Sequence, residues 1–285
     1  MPEQERSRVA VVMPAYNAEQ TVNRAVQSLA KSTFPCDVFI VDDGSRIPVA
    51  QVLAGASPRV RVLRLPENGG IAHARNVGLQ AVLAEGYEFV ACLDADDICY
   101  PERIAKQVAF LDGHPQVAVV GTWGRHIEEQ SGTPILIHRT PADAQAAKKA
   151  MRSNMSVINT SAMIRTDALR AVGLYSEQYP AAEDYELLRR ISTRFAIANI
   201  PEVLVDICIS RHGISLRRRR RQLLDRLEIQ WKYFEPLQPG AWAGLVRTLL
   251  LFLVPASLHS RFKATGKAPG MATFSAAGRA PGRPG

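Results

Sequence analysis

Short β-branched runs alternate with amphipathic helical segments through the first half of the chain, and this alternation restricts the fold more than any other feature. Four such runs, at residues 8–13, 37–41, 59–65 and 88–93, have the composition of strands buried on both faces. A strand, helix, strand order repeated along one chain predicts a parallel sheet with right-handed crossovers. We therefore expect a doubly wound α/β fold.

The segments between these strands carry apolar residues at helical spacing. In the first helix the predicted apolar stripe contains Val22, Ala25, Val26 and Leu29. In the second helix it contains Ile71, Ala74, Val77 (or Gly78) and Ala81. Gly86 is expected to end the second helix, and Pro101 is expected to open the third, because its fixed φ suits a first helical turn.

Polar residues and glycines follow each predicted strand. The four strand ends read PAYNAE at 14–19, DDGS at 42–45, PENGG at 66–70 and DADD at 94–97. Ligands of doubly wound sheets bind beyond the carboxyl ends of the strands, so we expect these segments to converge on one rim. The sequence thus predicts a polar, acidic crevice.

The glycine pattern of this rim excludes two nucleotide-binding motifs. A dinucleotide fold needs GxGxxG after its first strand, whereas PAYNAE contains no glycine. A P-loop needs GxxxxGK[ST], and the Gly266-Lys267 pair lacks the upstream glycine. A diphosphate in an acidic crevice therefore needs a divalent cation, and Asp94 and Asp96 offer oxygen ligands suited to Mg²⁺ or Mn²⁺.

Composition restricts the partners and the compartment. The 285 residues carry a formal net charge of +8, which favours an acidic partner such as nucleic acid, an anionic membrane surface or a phosphorylated small molecule. The charged N-terminus has no apolar segment typical of a signal peptide, so we expect a cytoplasmic protein. The four cysteines form no CxxC pair and are expected to be buried thiols.

Six segments within residues 8–215 resemble the family 2 inverting glycosyltransferases of the GT-A fold. They are VVMPAYNAE (11–19), VDDGS (41–45), ENGGIAHARNVGL (67–79), DADD (94–97), VGLYSE (172–177) and AEDYELLRRI (182–191). The resemblance implies an α/β GT-A nucleotide-sugar-binding fold, with a doubly wound, mostly parallel sheet and a helical C-terminal extension. It also implies transfer of a sugar from a nucleoside-diphosphate sugar to a hydroxyl acceptor.

The resemblance implies a role for each matching residue. Contacts with the nucleotide sugar are implied for Pro14, Ala15, Tyr16, Asp42, Asp43, Gly69, Gly70, Arg75, Asp94 and Glu183. In the family, the loop that matches Pro14 to Tyr16 packs on the base, and the residue that matches Asp43 reads the base edge. The residue that matches Asp96 holds the metal ion, Mn²⁺ or Mg²⁺, at the diphosphate.

Inverting transfer is a single in-line displacement at the anomeric carbon, and it needs one general base for the acceptor hydroxyl. Asp184 matches the family's base, with Glu183 as its companion. A position at a helix N-terminus would favour the charged form of Asp184. His212 lies where the family often has a histidine that completes the metal shell, but the family's Arg-x-His spacing is replaced here by Arg211-His212. Asn159-Thr160-Ser161 likewise departs from the histidine that many members carry in that loop.

Simpler structural explanations compete with these roles. Asp42 fits an ordinary turn, and Asp97 could cap the helix that follows it. Arg75 could equally lie on a solvated helix face. Three carboxylates at 94–97 repel one another without a cation, which favours the metal interpretation for Asp96.

The chain beyond residue 215 has a different composition. We expect a transferase domain at 1–215, a basic and apolar helical extension at 216–262 and a disordered tail at 263–285. In the extension, Leu223, Leu227 and Trp231, with Leu224 alongside, are expected to form one stripe. Its uncharged part, Thr248 to Leu258, is too short to span a bilayer. Two alternatives stay open: a peripheral anchor on an anionic membrane, or a cover that buries Leu249 to Leu253 against the domain.

The sequence therefore predicts a metal-dependent inverting glycosyltransferase that acts at the cytoplasmic face of a membrane, on a saccharide or lipid-linked acceptor of a surface polysaccharide or glycolipid. One alternative is a catalytically degenerate member that binds nucleotide sugar or a partner. A nucleotidylyltransferase would need a glycine-rich, lysine-bearing first loop, which PAYNAE is not. A nucleic-acid-binding protein would use Arg217 to Arg221 on phosphates, but the interleaved aromatic residues are absent and the acidic rim would repel a polyanion.

Overall fold

The computed structural model describes residues 7–54, 59–209 and 219–253. Its strands are β1 (Val9–Ala15), β2 (Asp37–Asp42), β3 (Val60–Arg64), β4 (Phe89–Cys92), β5 (Ile98–Cys99), β6 (Val117–Glu128), β7 (Pro134–His138), β8 (Met163–Arg165) and β9 (Ala196–Ile209). Its α-helices are α1 (Val22–Ala30), α2 (Val49–Val52), α3 (Ile71–Ala84), α4 (Arg103–Gly113), α5 (Ala144–Met151), α6 (Thr166–Val172), α7 (Glu183–Arg194), α8 (Arg219–Lys232) and α9 (Pro239–Leu253). A 3₁₀ turn at Asn159–Ser161 precedes β8.

The strands form one nine-stranded sheet in the order β3-β2-β1-β4-β8-β6-β9-β5, with β7 paired to β6. Strands β3, β2, β1 and β4 are mutually parallel, which confirms the predicted first half. In the second half β8 runs antiparallel to both β4 and β6, whereas β9 is parallel to β6. The α/β class is thus confirmed, and the sheet is mixed: the described strands form four parallel and four antiparallel pairs, and every antiparallel pair includes a strand beyond β4.

Alternating side chains of the strands feed two hydrophobic cores, one on each face of the sheet. In β1, Ala10 and Val12 pack into the core that also contains residues of α3, α5, α6, α7 and α8. Val9, Val11 and Met13 pack into the opposite core, with α1, α2 and α4. This double burial explains why the strands read as continuous apolar runs. All four cysteines are free and buried, as predicted.

Two helix predictions need correction. In α3 the buried residues are Ala72, Ala74, Arg75, Gly78, Leu79 and Val82, whereas Ile71 is exposed. The predicted stripe was right for Ala74 and Gly78, but Val77 and Ala81 are only half-buried. The buried face also includes Arg75, whose charge is neutralised inside the fold. The third helix begins at Arg103, two residues after Pro101.

The C-terminal helices pack on the domain, but only in part through the predicted stripe, of which Leu223 is buried and Leu227 half-buried. In α8 the buried residues are Leu223, Asp225, Ile229 and Gln230, whereas Leu224 and Trp231 are exposed. The contact is partly polar: Asp225 accepts a hydrogen bond from the Ala181 amide, and Tyr233 donates one to Glu186. No helix within the described residues is long and apolar enough to cross a bilayer. The predicted boundary at 215 and the predicted tail at 263–285 lie outside the described residues.

Candidate functional site

The ends of β2 and β3 meet at the predicted rim through Asp43. One carboxylate oxygen of Asp43 accepts a hydrogen bond from the Gly69 amide at 2.7 Å, and the other accepts one from the Gly70 amide at 3.0 Å. Asn68 adds a third donor at 2.9 Å. Gly70 has φ 90°, a left-handed conformation that favours glycine. Asp43 therefore fixes the loop that leads into α3.

Asp42 supports the neighbouring turn from inside the protein. Its fully buried carboxylate accepts hydrogen bonds from the amides of Ser45 at 2.9 Å and Val49 at 3.0 Å and pairs with Arg64. Burial alone would raise the pKa of Asp42, but these hydrogen bonds outweigh it and lower the pKa. The contacts agree with the turn interpretation, because the chain itself satisfies this carboxylate.

Tyr16 lies at the open edge of the rim, after β1. Its side chain is 49% exposed, whereas the preceding Ala15 is buried. The next residue, Asn17, has a positive φ of 50° and is held by Ser45, whose hydroxyl accepts a hydrogen bond from the Asn17 amide at 2.9 Å. The loop after β1 is thereby tied to the loop after β2, which leaves the Tyr16 ring accessible to a ligand.

The carboxylates after β4 have three different environments. Asp94 pairs with Arg75 at 2.8 Å. The buried Asp97 accepts a hydrogen bond from the Cys208 amide at 2.9 Å, so it ties this turn to the end of β9 and caps no helix. Asp96 makes no ion pair with any described residue; Arg24 binds its backbone carbonyl, at 3.1 Å, and not its carboxylate. Of these three carboxylates, Asp96 is therefore the one that could bind a metal ion without first breaking an ion pair or hydrogen bond to another described side chain or amide.

The electrostatics of Asp96 fit a divalent cation. Burial, followed by the charge of Asp94, raises the pKa of Asp96 to about 6. Burial also raises the pKa of Asp97, and the charges of Asp96 and Asp94 add to the shift. A cation would relieve this repulsion. Within the described ranges no group of three or more His, Cys, Asp or Glu residues is arranged to hold a metal ion alone, and His212 lies outside them.

Arg75 joins the rim to the first turn of α7. Its guanidinium donates to Asp94 through one nitrogen and to Glu183 through another, both at 2.8 Å. Arg75 is 4% exposed, so the solvated-face interpretation is wrong. We refer to Asp94, Arg75 and Glu183 as the Arg75 bridge. It connects the end of β4 with the N-terminus of α7.

Asp184 lies beside this bridge, in the first turn of α7. Burial raises its pKa, although the charge of Arg75 and a hydrogen bond from the Tyr185 amide oppose the shift. The net direction is thus opposite to the effect expected of a helix N-terminus. Burial and the charge of Asp184 likewise raise the pKa of Glu183 to about 7. A carboxyl with a raised pKa is a stronger base, so this pair suits proton abstraction near neutral pH.

Thr160 and Tyr175, for which no role was predicted, support the carboxyl end of β4. The Thr160 hydroxyl accepts a hydrogen bond from the Asp94 amide at 3.0 Å, so the 3₁₀ turn that departs from the family pattern holds the end of β4. Tyr175 is buried and donates to Asn159 at 3.1 Å. The VGLYSE motif marked the position of Tyr175, whereas nothing in the sequence pairs residue 160 with residue 94.

Comparisons with known proteins identify the family of the chain. The family model for glycosyl transferase family 2 matches residues 10–173. An uncharacterized glycosyltransferase of Haemophilus influenzae is 26% identical over 272 residues, which cover 90% of this chain and 98% of that protein. The amylovoran biosynthesis glycosyltransferase AmsE of Erwinia amylovora is 26% identical over 255 residues, which cover 86% of this chain and 91% of AmsE.

Solved structures share the fold. S. aureus TarS 1-349 in complex with UDP-GlcNAc has a TM-score of 0.62 and 21% identity, covering 85% of this chain and 71% of that chain. Mannosyltransferase PcManGT from Pyrobaculum calidifontis, in complex with GDP-Man and Mn2+, has a TM-score of 0.62 and 17% identity, covering 93% of this chain and 74% of that chain. With the family match across more than half of the sequence, these likenesses identify the chain as a glycosyltransferase of family 2 with the GT-A fold.

Proposed function

We propose that this glycosyltransferase is metal-dependent and inverting, and that it transfers a sugar from a nucleoside-diphosphate sugar to a hydroxyl of a saccharide or lipid-linked acceptor. The observation that carries the proposal is the Arg75 bridge, because it brings the carboxylates after β4 next to those at the start of α7. A cation-binding carboxylate and a basic carboxylate on one rim are the two groups that such a transfer needs.

The proposed roles follow from these positions. Asp96 would hold Mn²⁺ or Mg²⁺, with His212 as a candidate further ligand from outside the described residues. The cation supplies charge neutralisation for the departing diphosphate. Tyr16, with Pro14 and Ala15, would pack on the base.

Asp184 would act as the general base. It would accept the proton of the acceptor hydroxyl while the new bond forms from that oxygen to the anomeric carbon and the bond to the diphosphate breaks, which inverts the anomeric configuration. Glu183 would position the first turn of α7, and with it Asp184, through its ion pair with Arg75. We assign Asp94, Gly69 and Gly70 to the walls of the donor site, with Asp43 holding the two glycines.

The biological setting is proposed from the relatives. AmsE takes part in amylovoran biosynthesis, and the succinoglycan biosynthesis protein ExoU of Rhizobium meliloti is 30% identical over 199 residues, 64% of this chain and 56% of ExoU. We therefore assign the chain to assembly of a cell-surface polysaccharide or glycolipid, at the cytoplasmic face of the membrane. The net charge of +8 agrees with peripheral contact with anionic lipid.

A thermal-shift screen tests this proposal. UDP-, GDP-, dTDP- and CDP-sugars are each added to the protein with and without Mn²⁺, because a ligand at 100 times its Kd stabilises a protein by about 2.7 kcal/mol. The expected result is a shift that needs both the cation and one base. If every combination leaves the melting temperature unchanged, the chain is instead the degenerate, partner-binding member of the family.

A further inference from the structure

Helix α9 packs on the protein through its small residues. Ala241, Gly244 and Thr248 are its buried positions. A Cβ atom at Gly244 would come within 2.8 Å of the Ser153 Cα, so the helix approaches the chain after α5 too closely for a side chain there. The Thr248 hydroxyl donates a hydrogen bond to Gln230 of α8 at 2.9 Å. These contacts fix which face of α9 is turned outward.

The outward face of α9 is apolar. Its large residues are Trp242 (53% exposed), Val246 (54%), Leu249 (55%), Leu250 (56%) and Leu253 (78%). At 100° per residue these positions share one side of the helix, opposite Ala241, Gly244 and Thr248. The alternative in which Leu249 to Leu253 are buried against the domain is therefore wrong for Leu249, Leu250 and Leu253. A helix with its small residues inside and its leucines outside needs another partner.

Positively charged side chains lie near the N-terminal end of this face. A cavity of about 560 Å³ is lined by Gln145, Lys148, Lys149, Arg152, Gln238, Pro239 and Gly240, where α5 meets the first turn of α9. Arg152 is neutralised by Glu235. Lys148 and Lys149 are exposed and form no ion pair with another described residue, so their charges are available to an anion.

A second set of cations lies at the C-terminal end. Arg219 donates a hydrogen bond to the Leu251 carbonyl at 3.0 Å, which places the first turn of α8 beside the last turn of α9. Arg220 follows it and is exposed. The apolar face is thus flanked by positive charge at both ends, an arrangement complementary to a surface with an apolar interior and anionic headgroups. A second copy of the chain would instead oppose cations to cations in either orientation.

We propose that α9 lies in the interfacial layer of a membrane that contains anionic lipid. Trp242, Leu249, Leu250 and Leu253 enter the boundary between headgroups and acyl chains, and lipid phosphates are bound by Lys148 and Lys149 at one end and by Arg220 at the other. This inference identifies the surface for membrane contact and does not depend on the transfer chemistry.

Vesicle flotation of the full chain tests the proposal without donor, metal or acceptor. Vesicles of phosphatidylcholine with phosphatidylglycerol are compared with vesicles of phosphatidylcholine alone. The unaltered protein is expected to float with the anionic vesicles and to be released by high salt. Leu249→Ser/Leu250→Ser is expected to lower the partition coefficient by about 10-fold or more. Lys148→Gln/Lys149→Gln is expected to lower it by about 5-fold for each charge removed.

Ile137→Ser is the matched control, because Ile137 is a large apolar residue that is 40% exposed on β7. Its partition coefficient should equal that of the unaltered protein, and circular dichroism checks that every variant is folded. Quenching by brominated lipid gives a second measurement: in a Trp231→Phe background, the quenched emission should disappear with Trp242→Phe. Equal flotation of the leucine variant and the control would overturn the proposal. So would a dimer, stable without lipid, that dissociates in the leucine variant.

Discussion

The guanidinium of Arg75 lies 2.8 Å from the carboxylate of Glu183 although 108 residues separate them in sequence. Both side chains are buried, and the same guanidinium holds Asp94. The Arg75 guanidinium therefore neutralises two carboxylates, Asp94 and Glu183, that come from different parts of the chain, and Asp184 lies beside them. The stability of the site and its geometry depend on the same side chain.

Arg75→Gln is expected to lower the free energy of unfolding by about 3 kcal/mol or more, because it leaves the buried Glu183 and the half-buried Asp94 without their positively charged partner. Arg75→Lys should recover only part of this loss, because an ammonium group lacks the two-pronged geometry of the guanidinium. Denaturant unfolding measures both. Lys106→Gln removes the exposed pair with Glu202 and should cost less than about 1 kcal/mol. Equal effects of Arg75→Gln and Lys106→Gln would show that the Arg75 bridge is not a stabilising element.

Asp184→Asn is expected to reduce the rate of sugar transfer by about 100- to 10,000-fold while the affinity for the nucleotide stays nearly unchanged. The amide keeps the size of the side chain but cannot accept the proton of the acceptor. Turnover assays and calorimetric titration with the nucleoside diphosphate separate the two effects. Asp167→Asn, at a side chain that is 92% exposed, serves as the control. A variant that lost nucleotide binding but kept turnover would remove Asp184 from the role of base.

Asp96→Ala is expected to weaken Mn²⁺-dependent binding of the nucleoside diphosphate by at least about 10-fold, because it removes the carboxylate that is proposed to hold the metal ion. Binding in the absence of metal should change little. Titration calorimetry with and without Mn²⁺ measures this difference. Unaltered metal dependence in Asp96→Ala would place the cation elsewhere.

Asp42→Ala is expected to destabilise the protein by about 3 kcal/mol, because two buried amides and Arg64 lose their acceptor. Asp167→Ala, at an exposed carboxylate, should have almost no effect. Thermal unfolding compares the two variants. A stable Asp42→Ala variant that fails to bind nucleotide would instead support the direct nucleotide contact implied by the family resemblance.

The stability of the metal-free protein is expected to fall as the pH rises. Asp96 and Glu183 have pKa values raised to about 6 and about 7 in the folded protein, so the folded state binds protons more tightly than the unfolded chain. Their contribution to stability is fully present below their ordinary pKa values and is lost as the pH rises through about 6 and about 7.

Thermal unfolding across this pH range should show a loss of up to about 3 kcal/mol for each group, because one pKa unit corresponds to about 1.4 kcal/mol. Added Mn²⁺ should oppose the loss most strongly at the higher pH, where Asp96 is ionised. Asp96→Asn should remove its share of the slope. A melting temperature that rises steadily with pH in the metal-free protein would contradict the direction of both shifts.

Local sequence patterns predicted the first half of the fold because its information is local. Strands β1, β2 and β4 are buried on both faces, so their apolar runs are continuous, whereas the edge strand β3 is partly exposed. All four strands are parallel, so their carboxyl ends meet at one rim. The antiparallel pairing of β5 with β9 joins residues about a hundred positions apart, and no local pattern specifies it. Periodicity was likewise only partly right in α3, where a charged residue is buried, and in α8, where Asp225 and Gln230 are buried beside Leu223 and Ile229.

The candidate site was predictable as a set of residues but not as a set of contacts. The family resemblance picked out Asp94, Asp96 and Asp184 by position. It gave no indication that Arg75 would neutralise Asp94 and Glu183, or that the Asp97 carboxylate would accept a hydrogen bond from the Cys208 amide. Such pairings depend on distances between segments that lie far apart in the chain, and only the folded structure contains them.

The backbone amides of Gly69 and Gly70 both donate hydrogen bonds to the Asp43 carboxylate, at the start of α3. Adjacent backbone amides at the start of a helix are where many nucleotide-binding proteins seat a phosphate directly. Here a carboxylate of the chain already occupies them, so a phosphate group must be held elsewhere on the rim. Under the proposed metal dependence, sugar transfer by this protein would follow the cell's supply of divalent cation as closely as its supply of activated sugar.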